Sequence, residues 1–239
     1  VFYKKWYGVE LDPKTEIQPL IGSKEGILHT TLAFVNPGYE VLVPNPGYPT
    51  YTSLSKILGA KVVNYSLLEN NGWQPDFEGL EKMDLSRVKL MWTNYPNMPT
   101  GGAARMETYE RLVAFAKKHH IVVVNDNMPG WRVGMCCTNK TFISWILKIK
   151  SNIDSGTFRG IQLAAAEALQ HNDAEWHHEA NITTYRRRRE IAEEIMTTLG
   201  CTFDKNQVGM FLWGKIPEKY QNVEDLTERV LHEARVFIT

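Results

Sequence analysis

Polar and aromatic side chains stand just beyond several predicted strands, and their types suit the binding of an anion or a planar ring. Ser23 and Lys24 follow a short apolar run and begin a predicted helix. The free N–H groups and the dipole of a helix start favour a phosphate, although serine is also a common N-cap residue. Asp126 closes the apolar run Ile121–Asn125. Its carboxylate suits a protonated ring nitrogen, and it equally suits the cap of a following helix.

Tyr48 and Arg132 also allow two interpretations each. Tyr48 follows the predicted strand Glu40–Pro44, where its ring can stack on a planar ligand or simply fill a turn. Arg132 has a planar guanidinium that can grip a phosphate or form an ordinary ion pair. Ligands of open α/β sheets bind beyond the carboxyl ends of the strands. These positions are therefore candidates for a binding site, and no single one of them decides the matter.

Strands and helices alternate along the first part of the chain. Apolar runs predict strands over residues 40–44, 61–65, 88–93 and 121–125. Helical periodicity predicts the helices between and around them, over residues 24–34, 50–58, 76–83 and 107–120. This order predicts βαβ units and an α/β fold, with a mainly parallel sheet covered by helices on both faces.

The last third of the chain has a different pattern. Helices are predicted over residues 157–170, 173–199 and 223–234, and the apolar run Val208–Trp213 predicts a strand. We therefore expect a large domain over residues 1–150, followed by an interdomain helix and a smaller α+β domain over residues 151–239. The chain begins without Met and stops in an apolar run, so we expect the small domain to be truncated and both ends to continue in a longer protein.

Composition excludes several classes of protein. The 239 residues carry 27 Lys and Arg against 27 Asp and Glu, which does not fit the one-sided basic surface of a nucleic-acid-binding protein. No apolar run approaches membrane-spanning length. Cys136, Cys137 and Cys201 have no metal-ligand spacing, so we predict no metal site and a reducing, cytoplasmic setting.

One junction does not fit a continuous parallel sheet. A buried strand ends near Asp126, and a turn leading into a further strand begins at Pro129, with only Asn127 and Met128 between them. Parallel neighbours need a crossover of about a dozen residues or more, and nothing in these residues favours a tight hairpin turn. We therefore predict that a segment is missing between Asn127 and Met128.

Taken in order, five segments resemble the class I/II aminotransferases, which are pyridoxal-phosphate enzymes of fold type I. The resemblance runs through nearly the whole chain. Each segment alone is moderately specific, and their order and spacing together are strong. The segments are Gly22–Gly26, Pro46–Tyr51, the PxNPTG-like loop Pro96–Gly101, Val124–Asp126 and Pro129–Gly134.

The resemblance implies a pyridoxal 5′-phosphate site. Ser23, Lys24 and Arg132 correspond to the residues that anchor the phosphate. Tyr48 corresponds to the ring that stacks on pyridoxal, and Asp126 to the carboxylate that keeps the pyridine nitrogen protonated.

The PxNPTG-like loop departs from the family pattern. Asn97 is its candidate cofactor ligand, but it stands one position before the usual asparagine, whose place Met98 takes. The family tyrosine that follows the strand aspartate is also absent. The cofactor-binding residues are therefore largely visible, whereas other parts of the site are not.

The implied activity is transfer of an amino group between an amino acid and a 2-oxo acid, through a lysine that holds the cofactor as a Schiff base. That lysine precedes the Pro129–Gly134 segment in the family, so it is expected inside the missing segment and no catalytic lysine is visible. The loops look closest to the aspartate, alanine and LL-diaminopimelate aminotransferase branch. Ser155–Phe158 resembles the family segment near the dimer interface, which implies a homodimer.

Two alternatives stay open. The chain can be another fold-type-I enzyme, such as a carbon–sulfur lyase, which shares the cofactor site and differs in the fate of the substrate. It can also be a non-catalytic aminotransferase-like binding module, an interpretation kept open by Met98 and by the absent lysine. The amino acid substrate itself is not indicated by these residues.

Overall fold

The computed structural model describes residues 2–126, 132–171, 173, 175 and 178–238. The predicted junction between Asn127 and Met128 lies outside the described residues, as do Pro129–Trp131. Two compact units divide the chain. The first comprises the described residues up to Met98 and those of Gly102–Asp173, and the second comprises Pro99–Gly101 with the described residues of Ala174–Thr239.

The first unit contains seven strands and seven α-helices among its described residues, and a short 3-10 helix over Glu69–Asn71. The strands are β1 (Ile17–Leu20), β2 (Glu40–Asn45), β3 (Lys61–Leu68), β4 (Gln74–Pro75), β5 (Val88–Thr93), β6 (Val122–Asn125) and β7 (Gly134–Cys137). The helices are α1 (Phe2–Tyr7), α2 (Ser23–Phe34), α3 (Pro49–Ile57), α4 (Phe77–Glu81), α5 (Met106–His119), α6 (Lys140–Lys150) and α7 (Arg159–Gln170).

Five strands form a mainly parallel sheet in the order β4-β3-β2-β5-β6. β2 pairs in parallel with β3 and β5, and β5 pairs in parallel with β6. Only the two-residue β4 runs antiparallel to its neighbour, with Leu67 opposite Pro75. The predicted α/β class is confirmed, and all four predicted strands of the first unit form within about three residues of their expected ends.

Two apolar clusters cover the faces of this sheet, which explains the continuous apolar runs of its central strands. Leu42 and Met91 face one cluster, whereas Val41, Val43 and Trp92 face the other. All five side chains are at most 2% exposed. Since side chains alternate between the faces of a strand, both faces of β2 and β5 are covered by apolar residues at these positions.

β1 and β7 form a separate two-stranded antiparallel sheet, in which Ile17 lies opposite Cys137 and Leu20 opposite Gly134. The strand predicted after Arg132 is therefore present, but it pairs with the beginning of the chain and not with β6. This pairing brings Gly134 beside the start of α2, because α2 follows directly from β1.

Local signals set several helix ends. Asp76 caps α4 by accepting a hydrogen bond from the Gly79 N–H at 3.0 Å. Asn139 caps α6 in the same way, accepting from Thr141 and Phe142 at 3.0 Å each. Gly59 follows α3 with a left-handed φ of 78°, the conformation in which glycine commonly ends a helix.

The second unit contains two α-helices among its described residues, α8 (Arg186–Thr198) and α9 (Val223–Arg229). Wider π-helical turns precede α8 over His178–Tyr185 and follow α9 over Val230–Ala234. The long helix predicted over residues 173–199 is thus partly outside the described residues, and its described portion changes pitch at Arg186. Gly200, with a φ of 80°, follows its end.

The predicted strand Val208–Trp213 is wrong. These residues form a loop, in which Met210 and Phe211 are 58% and 49% exposed. Gly209 takes a left-handed φ of 95°, which interrupts extended backbone. The Gln207 side chain closes the loop, accepting from the Trp213 N–H at 2.7 Å and donating to the Trp213 carbonyl at 2.9 Å.

None of the helices in the described part of the chain combines the length and the hydropathy needed to span a bilayer.

Candidate active site

The parallel pairing of β2, β5 and β6 places their carboxyl ends at one edge of the sheet. Three of the candidate residues follow these ends directly. Tyr48 follows β2, the loop containing Asn97 follows β5, and Asp126 follows β6. The topology therefore gathers residues that are up to 78 positions apart in the sequence, as expected for an open α/β sheet.

Asp126 is held by hydrogen bonds from both sides. Its backbone N–H donates to the Thr93 carbonyl at 2.9 Å, which continues the pairing of β6 with β5. The Tyr51 hydroxyl donates to the Asp126 carboxylate at 3.0 Å. Burial raises the pKa of Asp126 above its ordinary value, although hydrogen bonds from Tyr51 and Ser23 oppose that shift. The carboxylate is thus partly desolvated and already oriented.

Asn94 ties the loop after β5 to Asp126. Its side-chain Nδ2 donates to the Asp126 carbonyl, and its Oδ1 accepts from the Met98 N–H at 2.6 Å. The loop also closes on itself, because the Asn97 N–H donates to the Gly102 carbonyl at 2.7 Å. Asn97 is only 3% exposed, so this departure from the family pattern leaves a buried amide in the loop.

A row of aromatic rings leads from this edge into the core. The Tyr48 ring meets the Tyr51 ring edge-on, with centroids 5.6 Å apart. Tyr51 stacks on Trp92 with centroids 5.1 Å apart and planes inclined by 4°. Lys24 Nζ lies 5.6 Å from the centroid of the Tyr48 ring. The Tyr48 ring is therefore packed against Tyr51 and lies close to the ammonium group of Lys24.

The start of α2 and Arg132 form the second part of the site. Gly22 precedes the helix with a φ of 75°, and no side chain caps the first turn there. A Cβ on Gly22 would lie 3.5 Å from Cζ of Arg132, so the guanidinium stands beside the helix start. Arg132 is exposed and has a φ of 57°, which non-glycine residues rarely adopt. Backbone N–H groups and a guanidinium thus converge where an anion would bind.

A buried ionic cluster fixes α2 from behind. Glu25 accepts a hydrogen bond from the Ile21 N–H, and its other oxygen accepts from Lys150 Nζ at 2.6 Å. Lys150 also donates to Asp154 at 2.6 Å, and its side chain is only 5% exposed. His29 is fully buried, with Nδ1 3.8 Å from Glu25. Burial lowers the pKa of His29, so it remains neutral.

Glu25, His29 and Asp154 bring three possible metal-ligand atoms within 4.8 Å of one another. The ammonium group of Lys150 already lies between the two carboxylates and supplies their positive charge. The cluster therefore acts as an ion pair that joins α2 to α6, and we assign it no metal.

The predicted site residues form two groups. Tyr48, Asn97 and Asp126 follow the strands β2, β5 and β6, and Ser23, Lys24 and Arg132 lie at the start of α2. Ser23 and Asp126 line the same cavity, and Lys24 Nζ lies over the Tyr48 ring. Arg132 lies beside Gly22, at the same helix start. Four supporting residues were not predicted from the sequence: Tyr51, Asn94, Glu25 and Lys150. Of these, only Tyr51 had a usable signal, since it falls three residues after Tyr48 at the start of α3.

Replacing Tyr51 with phenylalanine is expected to destabilise the protein by about 1 kcal/mol, the usual net contribution of one hydrogen bond. Burial raises the pKa of the Tyr51 hydroxyl, and the charge of Asp126 adds to this effect, so the group stays protonated and donates. Urea unfolding measures the loss, with Tyr39→Phe as a control outside the site. An equal loss in both variants would contradict a specific role for the bond to Asp126.

Comparisons with known proteins identify the family of this chain. The chain matches the family described as aminotransferase class I and II over residues 2–128 and 125–239. It is 35% identical to an LL-diaminopimelate aminotransferase of Oleidesulfovibrio alaskensis over 275 aligned positions, covering 100% of this chain and 70% of the relative. A relative of the same name from Aquifex aeolicus is 34% identical, with the same coverage.

Among solved structures, substrate-bound BacF from Bacillus subtilis superposes with a TM-score of 0.89. It is 31% identical, and the match covers 100% of this chain and 69% of that one. Family model, relatives and fold thus agree with one another. The chain belongs to the class I and II aminotransferase family and has the α/β fold of its pyridoxal-phosphate-dependent members.

Proposed function

We propose that this protein binds pyridoxal 5′-phosphate at the carboxyl edge of its parallel sheet and transfers an amino group between an amino acid and a 2-oxo acid. The observation that carries the proposal is the placement of Asp126 beside the start of α2, with Arg132 next to that helix start. The comparisons name aminotransferases and favour neither the lyase nor the binding-module alternative.

The donor groups of the site fit the two ends of the cofactor. Its phosphate suits the uncapped first turn of α2 and the guanidinium of Arg132, because both offer N–H groups to an anion. A protonated ring nitrogen suits the half-buried carboxylate of Asp126. Ser23 begins α2 and lines the same cavity as Asp126, so it is placed to meet the phosphate.

Each residue then has a defined task. Arg132 and the α2 N–H groups bind and orient the phosphate. Tyr48 fixes the plane of the ring, and Tyr51 holds Asp126 so that its carboxylate keeps a proton on the ring nitrogen. When bound, the cofactor supplies an electron sink for the pair of electrons left by loss of a substrate proton. The residue that moves this proton is expected between Asn127 and Met128, outside the described residues.

Absorbance spectroscopy with borohydride reduction tests this function. The full-length protein is mixed with pyridoxal phosphate, its visible spectrum is recorded, and peptides are mapped after reduction. Amino-group transfer is then assayed with LL-diaminopimelate, suggested by the names of the relatives, and with a panel of other amino acids and 2-oxo acids. Transfer together with one lysine modified by the cofactor supports the proposal. Binding without any fixed lysine or transfer would instead favour the binding-module alternative.

Replacing Arg132 with lysine is expected to weaken cofactor binding by about 10-fold or more, because a lysine keeps the charge but loses the bidentate fork. Fluorescence titration with pyridoxal phosphate and with pyridoxal measures this change. Only the affinity for the phosphate-bearing compound should fall. Arg111→Lys, on the exposed side of α5, is the matched control. Equal weakening for both compounds would mean that Arg132 does not bind the phosphate.

We also propose a homodimer that forms around Ser155–Phe158 and α7. Support comes from apolar side chains without cover in the single chain, since Phe158 is 73% and Leu163 is 57% exposed. Sedimentation at several concentrations tests this assembly. A cytoplasmic location and a domain boundary near residue 150 are likewise proposals, and the free thiols of all three cysteines are compatible with the location.

A further inference from the structure

Two segments with candidate cofactor ligands leave the sheet side by side. The loop with Asn97 follows β5, and Asp126 follows β6. The parallel pairing of these strands runs as far as Thr93 opposite Asn125, and the Asp126 N–H then donates to the Thr93 carbonyl at 2.9 Å. Beyond the paired strands, the distance between Asp126 and the loop depends on side chains that connect the two segments.

Two asparagines make these connections, one from each segment. The Asn94 side chain donates from Nδ2 to the Asp126 carbonyl. The Asn125 side chain accepts at Oδ1 from the Tyr95 N–H at 3.1 Å. Each segment thus supplies a side-chain amide to the backbone of the other, so the loop and the end of β6 are bridged in both directions.

Asn94 makes a second bond within its own loop. Its Oδ1 accepts from the Met98 N–H at 2.6 Å, and the residue is only 9% exposed. An asparagine amide has donors at one end and an acceptor at the other. Asn94 uses one end on the backbone of Asp126 and the other on the loop. An aspartate in its place would lack the donor, and a leucine would lack both groups.

The bond to Met98 uses a backbone N–H, so it does not depend on the side chain at that position. The loop can therefore keep this contact although Met98 stands where the family usually has asparagine. The preceding residue, Asn97, is 3% exposed, and its N–H donates to the Gly102 carbonyl at 2.7 Å. Asn94 thus links the backbone of Asp126 to a closed loop that carries the buried amide of Asn97.

We propose that Asn94 is a positioning residue that sets the separation between Asp126 and Asn97 and thereby prepares the site for the cofactor ring. This inference rests on the proposed function, because it takes the ring as the group that these two residues contact. The bonds of Asn94 join β6 to the loop after β5 and not to α2. Binding of a phosphate at the start of α2 should therefore not depend on Asn94.

Replacing Asn94 with leucine, which has nearly the same size but no donor or acceptor, tests this role. Full-length protein is titrated with pyridoxal and, separately, with inorganic phosphate. The affinity for pyridoxal is expected to fall by about 10-fold, a usual size for coupling between two sites. The affinity for phosphate should not change. Equal pyridoxal affinity in wild type and Asn94→Leu would overturn the positioning role.

Tyr95→Phe is the matched control. It removes a bond at 2.9 Å from the buried Tyr95 hydroxyl to the Trp73 carbonyl, in the same loop but without a link to Asp126. This variant should lower Tm and leave the affinity for pyridoxal unchanged. An equal loss of pyridoxal affinity in both variants would mean that the loop needs only general stability, and it would overturn a specific role for Asn94.

Hydrogen exchange in the wild type covers the case in which Asn94→Leu does not fold. Coupling is reciprocal, so bound pyridoxal should slow exchange of the Met98 amide by about 10-fold. Inorganic phosphate should not. Pyridoxal binding without any change at Met98 would overturn the positioning role and leave the proposed function intact. A wild-type protein that binds no pyridoxal would overturn both, so the wild-type titration distinguishes the two failures.

Discussion

Replacing Asp126 with asparagine is expected to lower kcat/KM for amino-group transfer by roughly 10²–10³-fold, the usual loss when one oriented electrostatic partner is removed from an active site. The carboxylate is oriented by the hydrogen bond from the Tyr51 hydroxyl. An asparagine of the same shape keeps the hydrogen bonds but not the charge that holds a proton on the ring nitrogen. Steady-state kinetics with saturating cofactor measure the loss.

The same substitution is expected to leave stability at pH 7 unchanged or to raise it by up to about 1 kcal/mol. Burial raises the folded-state pKa of Asp126. A raised carboxyl pKa means that stability falls as the pH rises through that value, because the folded state resists the charge. Asparagine carries no charge and avoids this loss of stability. The difference in the free energy of unfolding between Asp126→Asn and wild type should therefore shrink as the pH falls toward 4. Urea unfolding at both pH values measures the difference.

Asp84→Asn is the matched control for both measurements, since Asp84 is exposed and outside the site. Hydrogen bonds from Ser86 lower the pKa of Asp84, the opposite direction to Asp126. Asp84→Asn should keep full activity and gain no stability at pH 7. Full transfer activity in Asp126→Asn would show that this carboxylate does not pair with the cofactor ring.

Replacing Lys150 with methionine is expected to destabilise the protein by about 3 kcal/mol, the low end of the range for breaking a buried ion pair. The low end applies because Asp154 is 20% exposed and water screens part of its charge. Glu25, only 13% exposed, would be left without its cation. Burial alone would lower the pKa of Lys150, but hydrogen bonds with Asp154 and Glu25 outweigh it and raise that pKa.

The pH dependence of this loss provides an independent check. Hydrogen bonding with Glu25 and Lys150 lowers the pKa of Asp154 from 3.8 to about 2. A lowered folded-state pKa stabilises the protein above the ordinary value and loses that effect as the pH falls toward 2. The difference in the free energy of unfolding between wild type and Lys150→Met should therefore decrease as the pH falls from 4 to 2. Lys148→Met, exposed on the same helix, is the control and should cost little. A gap that does not change over this pH range would exclude the ion pair as its cause.

Sequence patterns predicted the large unit well because its strands are buried on both faces. A run such as Glu40–Asn45 is almost continuously apolar, which indicates a strand covered on both faces. The parallel order of such strands then determines which residues meet at the carboxyl edge. Tyr48 and Asp126 could be placed together on that basis. The resemblance to a family added chemical roles for residues that, taken one at a time, also suit turns and caps.

Partners far apart in sequence escaped prediction. Lys150 meets Glu25 across 125 residues, and nothing local distinguishes it from the exposed Lys148 two positions earlier. Asn94 has the same limitation, because its role depends on the pairing of β5 with β6. The strand expected over Val208–Trp213 failed for the converse reason. Its residues favour extended backbone, but the fold provides no neighbouring strand and Gly209 turns the chain away.

The two-residue strand β4 has a consequence for how chains can associate. It ends the parallel sheet with Pro75, a residue that has no N–H to offer to another strand. The β4 edge of the sheet therefore pairs poorly with a further strand. The β6 edge, which pairs only with β5 within the described residues, can accept one. Two copies that paired through their β6 edges would leave only their β4 edges exposed. Growth by this route stops at a pair, so association through the main sheet does not extend into fibres.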